Sequence, residues 1–421
     1  MKIKLIVAVL IGTFLQYFDY TLFGFFSGAI STYFFPAQDH KIALMMTWAT
    51  FATGYLIRPL GAYLFGHYGD RLGRRKILGF SILLMSLPTM LTGLLPTFAQ
   101  IGLFSPLLLI LCRLIQGLAV SAEYNGSSIY LVESSEKHKG LIASMITCAC
   151  GLGIFAAAST AALFTSLTVK LGVNSWRLPF VLAGVIVGIA GYYLRRQLPE
   201  TKEFEIISNR SLIAKKPLVD AIKQNKWSLF VSFLFSAYVG SATYIIMVYM
   251  ASYLQNTINL NLYLALKLTA IAGLVEALCA PIFGYMADRY KIQNILAYAA
   301  LAMFLLAVPL FFMINSGNLN YLIAALLLLS ILLSSFDGVL VSYLPYLFKV
   351  QYRYSAVAVS FNLGGAVIGG LTPVLMQFLL NYTELSIIPG IYLSILALFC
   401  FVTLTLRSGY CGENYERRCI I

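Results

Sequence analysis

The chain has 421 residues, of which 60% are hydrophobic and only 11% charged, with a mean hydropathy of +0.84. A soluble domain carries about 25% charged residues, so this chain cannot cover a water-facing surface, and a soluble enzyme or nucleic-acid-binding domain is excluded. The net charge of +13 must therefore be explained by where the basic residues fall.

Twelve long apolar runs follow one another: 5–34, 44–65, 77–95, 106–132, 141–167, 178–194, 228–254, 263–286, 292–314, 321–347, 355–380 and 387–406. Each is continuous rather than alternating, which predicts transmembrane helices and not a barrel. The opening "MKIKLIVAVLIG" is read as the start of the first span and not as a cleaved leader. Its apolar run continues past Phe25, and no small-x-small site closes a short apolar core. Between the second and third spans lies "FGHYGDRLGRRK", Phe65 to Lys76. The longest polar stretch, 195–227, divides the spans six and six. After the eighth span "FGYMADRYK", Phe283 to Lys291, repeats the Phe-Gly-Tyr/His-x-x-Asp-Arg pattern 218 residues later. A repeat at equivalent places in two halves is how many secondary transporters are built, with a solute site at the midplane between halves. Gly151 and Gly153 in the fifth span match Gly364 and Gly365 in the eleventh at a similar offset. The expected organisation is a first six-helix bundle at 1–194, a central loop at 195–227, a second bundle at 228–406 and a tail at 407–421.

With the amino terminus inside, the inner segments hold 23 of the 29 Lys and Arg and the outer segments four, Lys41, Lys170, Arg177 and Lys267. This asymmetry predicts that both termini are cytoplasmic. Five of the seven Cys fall within spans and two in the tail, without zinc spacing or a disulfide pattern. His40, His67 and His138 are scattered among loops, and no phosphate-binding Gly-rich loop occurs. No cofactor, metal, ATP drive or nucleic-acid partner is expected. Trp176 and Trp227, at span ends, read as interface anchors.

The two Asp-Arg stretches have a gating reading. Gly66 and Gly69 allow close backbone approach. Asp70 can accept hydrogen bonds from the amino-terminal amides of a neighbouring helix, where an anion is favoured; the eleventh span, beginning near Ser355, is the expected partner. Arg71, Arg74 and Arg75 can pair with Glu133 or Glu136 at the end of the fourth span. Asp288 and Arg289 are their counterparts. Such contacts would latch the halves in one state and break in another; the alternative is a plain topology determinant.

These stretches carry a resemblance. "GHYGDRLGRRK" resembles the signature that follows the second helix of the major facilitator superfamily, and "RLIQGLAVSAEY" (Arg113–Tyr124) resembles its fourth-helix motif. "GTFLQYFDYTLFGFF", "IRPLGAYLFG", "AEYNGSSIYLVE", "WRLPFVLAG" and "RYSAVAVSFNLGGAVIGGLTP", in order, resemble the metabolite:proton symporters, which carry solutes such as proline/betaine, citrate, 2-oxoglutarate and shikimate. The resemblance implies two pseudo-symmetric six-helix bundles, alternating access and proton coupling. Gln16 stands where those carriers usually have Glu, and Ser121-Ala122 and Asn125 replace glycines. The tail is too short for the coiled coil of osmosensing members, so the resemblance does not extend to osmosensing.

Six charges remain inside spans, where each costs about 2.5–3.5 kcal/mol or more and usually faces an internal cavity. Asp19 and Glu123, with Glu276 and Asp337, are the candidate proton-coupling residues. Asp19 could equally form a permanent ion pair with Arg58 or Arg113, and Glu123 one with Arg58. Arg58 and Arg113 need counter-ions, either those carboxylates or a solute's. Gln16, Tyr20, Gln116, Tyr124 and Asn362 complete the candidate solute site. Arg113, Gln116, Val120 and Glu123 form one stripe. Arg113 and Glu123 stand about 15 Å apart along the helix and cannot pair. Glu276 and Asp337 have no Lys or Arg within the spans of their half. The expected function is import of a small anionic or zwitterionic metabolite with protons, by a monomer in a bacterial inner membrane. An exporter or exchanger on the same fold, and a non-transporting sensor or scaffold, are the rivals.

Overall fold

The computed structural model describes residues 3–36, 39–171, 175–201, 204–206, 217–383 and 385–406. The expected tail at 407–421, its Cys411 and Cys419, and central-loop residues 202–203 and 207–216 lie outside the described residues. Among the described residues, every regular element is helical.

Among the described residues, eleven helices are long and apolar enough to span a bilayer. They are the first (Ile3–Phe25), third (Arg74–Leu94), fourth (Phe104–Ser134), fifth (Lys139–Leu171), sixth (Arg177–Arg196), seventh (Lys226–Asn256), eighth (Leu262–Ala287), ninth (Ile292–Ile314), tenth (Leu319–Leu347), eleventh (Arg353–Thr383) and twelfth (Ile388–Thr405). The second span is two helices, His40–Leu56 and Arg58–Leu72, separated by a turn at Ile57. Pro59 causes the break: it has no amide to offer the Tyr55 carbonyl four residues back, and its ring crowds that carbonyl. The sixth helix runs on to Arg196, two residues past the expected boundary of the first bundle.

Packing follows a two-fold pattern. The third helix lies on the sixth as the ninth lies on the twelfth. Between halves, the second helix packs on the eleventh as the eighth packs on the fifth. These are the contacts that a repeat of six helices generates when its two copies face each other. Small residues allow the close crossings: a side chain on Gly117 would stand 1.9 Å from the Gly54 carbonyl oxygen. Leucines and aromatics such as Leu60, Phe80, Leu87, Leu278, Tyr298 and Phe399 are exposed on the outer faces. Water would reject that surface, whereas lipid accepts it; the protein is integral to the membrane. Trp227 is exposed, as an interface anchor should be. Trp176 is instead buried among Tyr33, Phe34 and Phe180, because the short helix Ser27–Phe34 folds back over it.

Candidate functional site

At the end of the bundle that carries the two Asp-Arg stretches, the halves are tied together twice. Asp70 accepts hydrogen bonds from the Ser355 amide at 2.9 Å and the Ser355 hydroxyl at 2.7 Å. Ser355 sits in the first turn of the eleventh helix, where free amides and the helix dipole hold an anion. Asp288 does the same in the mirrored position, accepting from the Gly140 and Leu141 amides at 2.7 and 3.0 Å at the start of the fifth helix. A side chain at Gly66 would meet the Ser355 backbone at 3.1 Å, and one at Gly69 the Tyr354 ring at 3.2 Å. The glycines therefore permit the approach that brings Asp70 within reach.

A buried charge network backs the first tie. Arg74 lies 3.5 Å from both Asp70 and Glu133, and Arg353 of the eleventh helix lies 3.3 Å from Glu133. Glu200 accepts from the amides of Arg74 and Arg75 at 3.0 and 3.3 Å, capping the third helix just after Gly73, whose φ of +101° suits glycine alone. Arg75 donates to the Arg196 carbonyl at 2.6 Å. Arg71 points outward to His67, and Arg289 to Tyr285; neither meets the fourth helix.

Midway along the bundle, the first, second, fourth and seventh helices converge. Asp19 is buried and accepts from the Gln116 amide at 3.0 Å; Gln116 also bonds Thr89 at 2.9 Å. The second Asp19 oxygen has no hydrogen-bond partner. Arg113 is fully buried, its guanidinium 4.0 Å from the Phe23 ring and 5.6 Å from the Tyr20 ring, with none of its three nitrogens hydrogen-bonded. Arg58 stands 3.7 Å from the Tyr55 ring and 4.7 Å from the Tyr20 ring. Among the described residues, no carboxylate lies within 4.0 Å of Arg58 or Arg113. Gln16, Tyr17, Tyr20, Tyr55, Arg58 and Tyr244 line a residual cavity of about 10 Å³ there, the lower limit for a single water. Tyr244 begins a π-helical stretch, Tyr244–Tyr249, and the eleventh helix has another at Gly365–Gly369. Such wide turns leave backbone groups less committed and recur at functional sites. Toward the end away from the ties, a larger cavity of about 440 Å³ opens among Phe25, Tyr33, Trp176, Ser252, Gln255 and Asn256.

A second buried acidic group sits across the interface. Tyr124 of the fourth helix donates to Asp337 of the tenth at 3.0 Å and stacks on Phe361 of the eleventh at 5.2 Å. Glu276 of the eighth helix is buried near Asp337, and one of its oxygens has no partner. Asn362 bridges the halves by donating to the Ser121 carbonyl at 3.0 Å.

Glu123 belongs elsewhere. It forms a two-pronged pair with Arg195 of the sixth helix, one contact at 2.6 Å, and accepts from Ser81 and Ser127. Arg195 is completely buried and also donates to the Leu78 and Val9 carbonyls at 2.8 and 3.2 Å. The Arg113–Glu123 stripe is thus split: Arg113 and Gln116 turn to the centre, and Glu123 turns to the first, third and sixth helices. Arg195 is the residue that sequence reasoning missed, because "YYLRRQ" reads as the ordinary basic end of a span. The one available signal was an intramembrane Glu123 with no cation within reach on its own helix.

A family model described as the Major Facilitator Superfamily matches residues 9–370. The chain is 32% identical to the proline/betaine transporter of Salmonella typhimurium (strain LT2) over 95% of this chain and 82% of that one. It is 33% identical to the glycine betaine/proline/ectoine/pipecolic acid transporter of Dickeya dadantii (strain 3937), again over 95% and 82%. Among solved structures, the proton:xylose symporter bound to 6-bromo-6-deoxy-D-glucose matches with a TM-score of 0.77 at 14% identity, covering 98% of this chain and 96% of that one. Its inward open conformation from E. coli matches with a TM-score of 0.68 at 14% identity, over 98% and 97%. Twelve spans in two matched halves, tied at one end around a central cluster of buried charges, agree with these likenesses: the chain belongs to the major facilitator superfamily and is a membrane carrier, not an enzyme.

Proposed function

We propose that the carrier imports a small carboxylate-bearing metabolite, anionic or zwitterionic, together with protons by alternating access. The single observation that carries this reading is Arg113, a fully buried guanidinium at the junction of the helices with, among the described residues, no carboxylate within ion-pair distance and no hydrogen bond. An arginine keeps its charge, and a charge held in an apolar interior calls for an anion. A solute carboxylate supplies it. The named solutes of the relatives, proline and betaine among them, carry a carboxylate beside a cationic nitrogen.

Asp19 is the first proton carrier in this reading. It lies beside Arg113, held by Gln116, with one oxygen free. Exchange of its proton would change the charge facing Arg113, coupling proton and solute. Glu276 and Asp337 form a second candidate pair in the other half; Tyr124 ties Asp337 to the first half, so its ionisation would alter a contact between halves. Glu123, satisfied by Arg195, serves as a structural anion. The ties at Asp70 and Asp288 hold the carrier shut at one end. The positive-inside charge balance makes that end cytoplasmic, with both termini on that side of a bacterial inner membrane and a monomer as the working unit.

The test is a pH jump in proteoliposomes. With the outside acidic, a labelled betaine or carboxylate should accumulate, and a protonophore should abolish accumulation. Uptake unaffected by the proton gradient would overturn the symport reading, and proton-driven efflux alone would establish the exporter.

A further inference from the structure

The side chains around Arg58 form a box. Tyr20, Phe51 and Tyr55 come from the first two helices and Tyr244 from the seventh, so both halves contribute. The rings of Tyr55 lie 4.9 Å from Tyr20, 5.0 Å from Phe51 and 4.8 Å from Tyr244; Phe51 lies 5.8 Å from Tyr20 and 6.0 Å from Tyr244. The rings meet mostly edge to face, as the walls of a cage do, and Tyr20 and Tyr55 turn the negative faces of their π systems to a cation, an arrangement that recognises organic cations. Here the cation is the protein's own. The Arg58 guanidinium lies 3.7 Å from the Tyr55 centroid and 4.7 Å from that of Tyr20, and the remaining space is about 10 Å³.

We propose that Arg58 is a tethered plug in an onium-binding cage, and that the solute enters by exchanging places with it. This rests on the carboxylate-import reading above and narrows its solute class to onium carboxylates. Two cations cannot share the box at these distances, because their repulsion is barely screened away from water. A solute cation must therefore expel Arg58. Once expelled, Arg58 needs an anion, since its own Nε is buried without a partner and no described carboxylate is within ion-pair range. A zwitterion brings both charges at once: its onium group takes the rings, and its carboxylate is shared by Arg58 and Arg113, whose guanidiniums lie 4.7 and 5.6 Å from the same Tyr20 ring. A dicarboxylate would draw Arg58 out and leave the rings without a cation. A simple cation would displace Arg58 and leave it without an anion. Exchange thus selects a molecule with the two charges a short distance apart.

The chain geometry suits such a plug. Arg58 is the first residue after the break at Ile57, so its backbone can adjust without bending a continuous helix. Tyr244 opens the π-helical stretch of the seventh helix, so one wall of the box belongs to a locally widened turn of the opposite half.

The experiment is calorimetric titration of the purified full-length protein with four probes: glycine betaine, its isostere without the cationic nitrogen 3,3-dimethylbutanoate, succinate and tetramethylammonium. Betaine should bind the wild type at least tenfold more tightly than the isostere, which has the same carboxylate and shape without the cation. Tyr55→Leu should erase that difference and Tyr55→Phe should keep it; thermal unfolding of both variants checks that they fold alike. Tetramethylammonium should bind Arg58→Gln, where the plug is gone, and should bind the wild type at least tenfold more weakly. Equal binding of betaine and isostere by the wild type would overturn the cage. Equal or absent tetramethylammonium binding in wild type and Arg58→Gln would overturn the plug. Proton-driven uptake of succinate without betaine binding would remove this inference while leaving proton symport of a carboxylate intact. Betaine binding without any proton-driven uptake would remove symport and leave the cage.

Discussion

The sharpest structural test is Arg195→Met. The side chain is completely buried and makes two contacts with Glu123 and one each with the Leu78 and Val9 carbonyls. Methionine fills most of the volume and supplies none of the donors. Glu123, itself only 2% exposed, would keep the Ser81 and Ser127 hydroxyls, which solvate a carboxylate but cannot neutralise it. Breaking a buried pair from one side costs about 3–5 kcal/mol. That is roughly two to four orders of magnitude in the ratio of folded to unfolded protein. Thermal unfolding in detergent should show a fall in Tm of several degrees and poor yield. Replacing both partners by Met removes the stranded charge and should recover most of the loss, since apolar replacement of a whole buried pair is often near neutral. An Arg195→Met protein as stable as wild type would refute the pairing as a structural element. So would a double variant no better than the single one. Glu123→Gln supplies the complementary check. If Glu123 carried a transported proton, the variant would fold normally and lose pH-dependent uptake; the pairing predicts that stability is lost first.

Three further outcomes follow from the contacts. Asp70→Asn and Asp288→Asn each keep the shape but surrender a charge at a helix amino terminus, worth up to about 2 kcal/mol for the buried Asp70 and about 0.3–1 kcal/mol for the exposed Asp288; maleimide labelling of Ala143→Cys, buried near the start of the fifth helix, should rise in either variant, and unchanged labelling would show that the ties do not hold this end shut. Gly117→Ala forces a methyl to 1.9 Å from the Gly54 carbonyl, so the second and fourth helices must part, and stability should fall by about 1–3 kcal/mol; a neutral Tm would mean that the crossing is looser than described. Asp19→Asn should abolish accumulation driven by an acidic exterior while preserving solute exchange across the membrane, and an intact pH response in that variant would transfer the coupling role to Glu276 and Asp337, each then tested by Glu276→Gln and Asp337→Asn.

Much of the architecture was legible from residue order alone, because a bilayer admits few solutions. Eleven of the twelve expected runs appear as long apolar helices, and the twelfth is the second span, broken where Pro59 removes an amide. The repeated Asp-Arg stretch announced two equivalent halves, and the reach of Asp70 to Ser355 followed from two local facts: a carboxylate after paired glycines and a free helix amino terminus on the same side. What the sequence could not decide was which buried charge faces which. Glu123 and Arg195 are 72 residues apart and look like a proton site and a span-end basic residue. Arg113 and Glu123 share a helical stripe, yet three helices intervene to turn one to the centre and the other away. Arg58 seemed to need a carboxylate, and it lies instead against the rings of Tyr20 and Tyr55, with Tyr244 of the other half packed on Tyr55. Periodicity places a residue on a face of its helix, whereas ion pairing and the aromatic box depend on crossings between helices distant in sequence. Only the packed bundle sets those distances, and in a low-dielectric interior a few ångströms decide whether a charge is paired, caged or left for a solute.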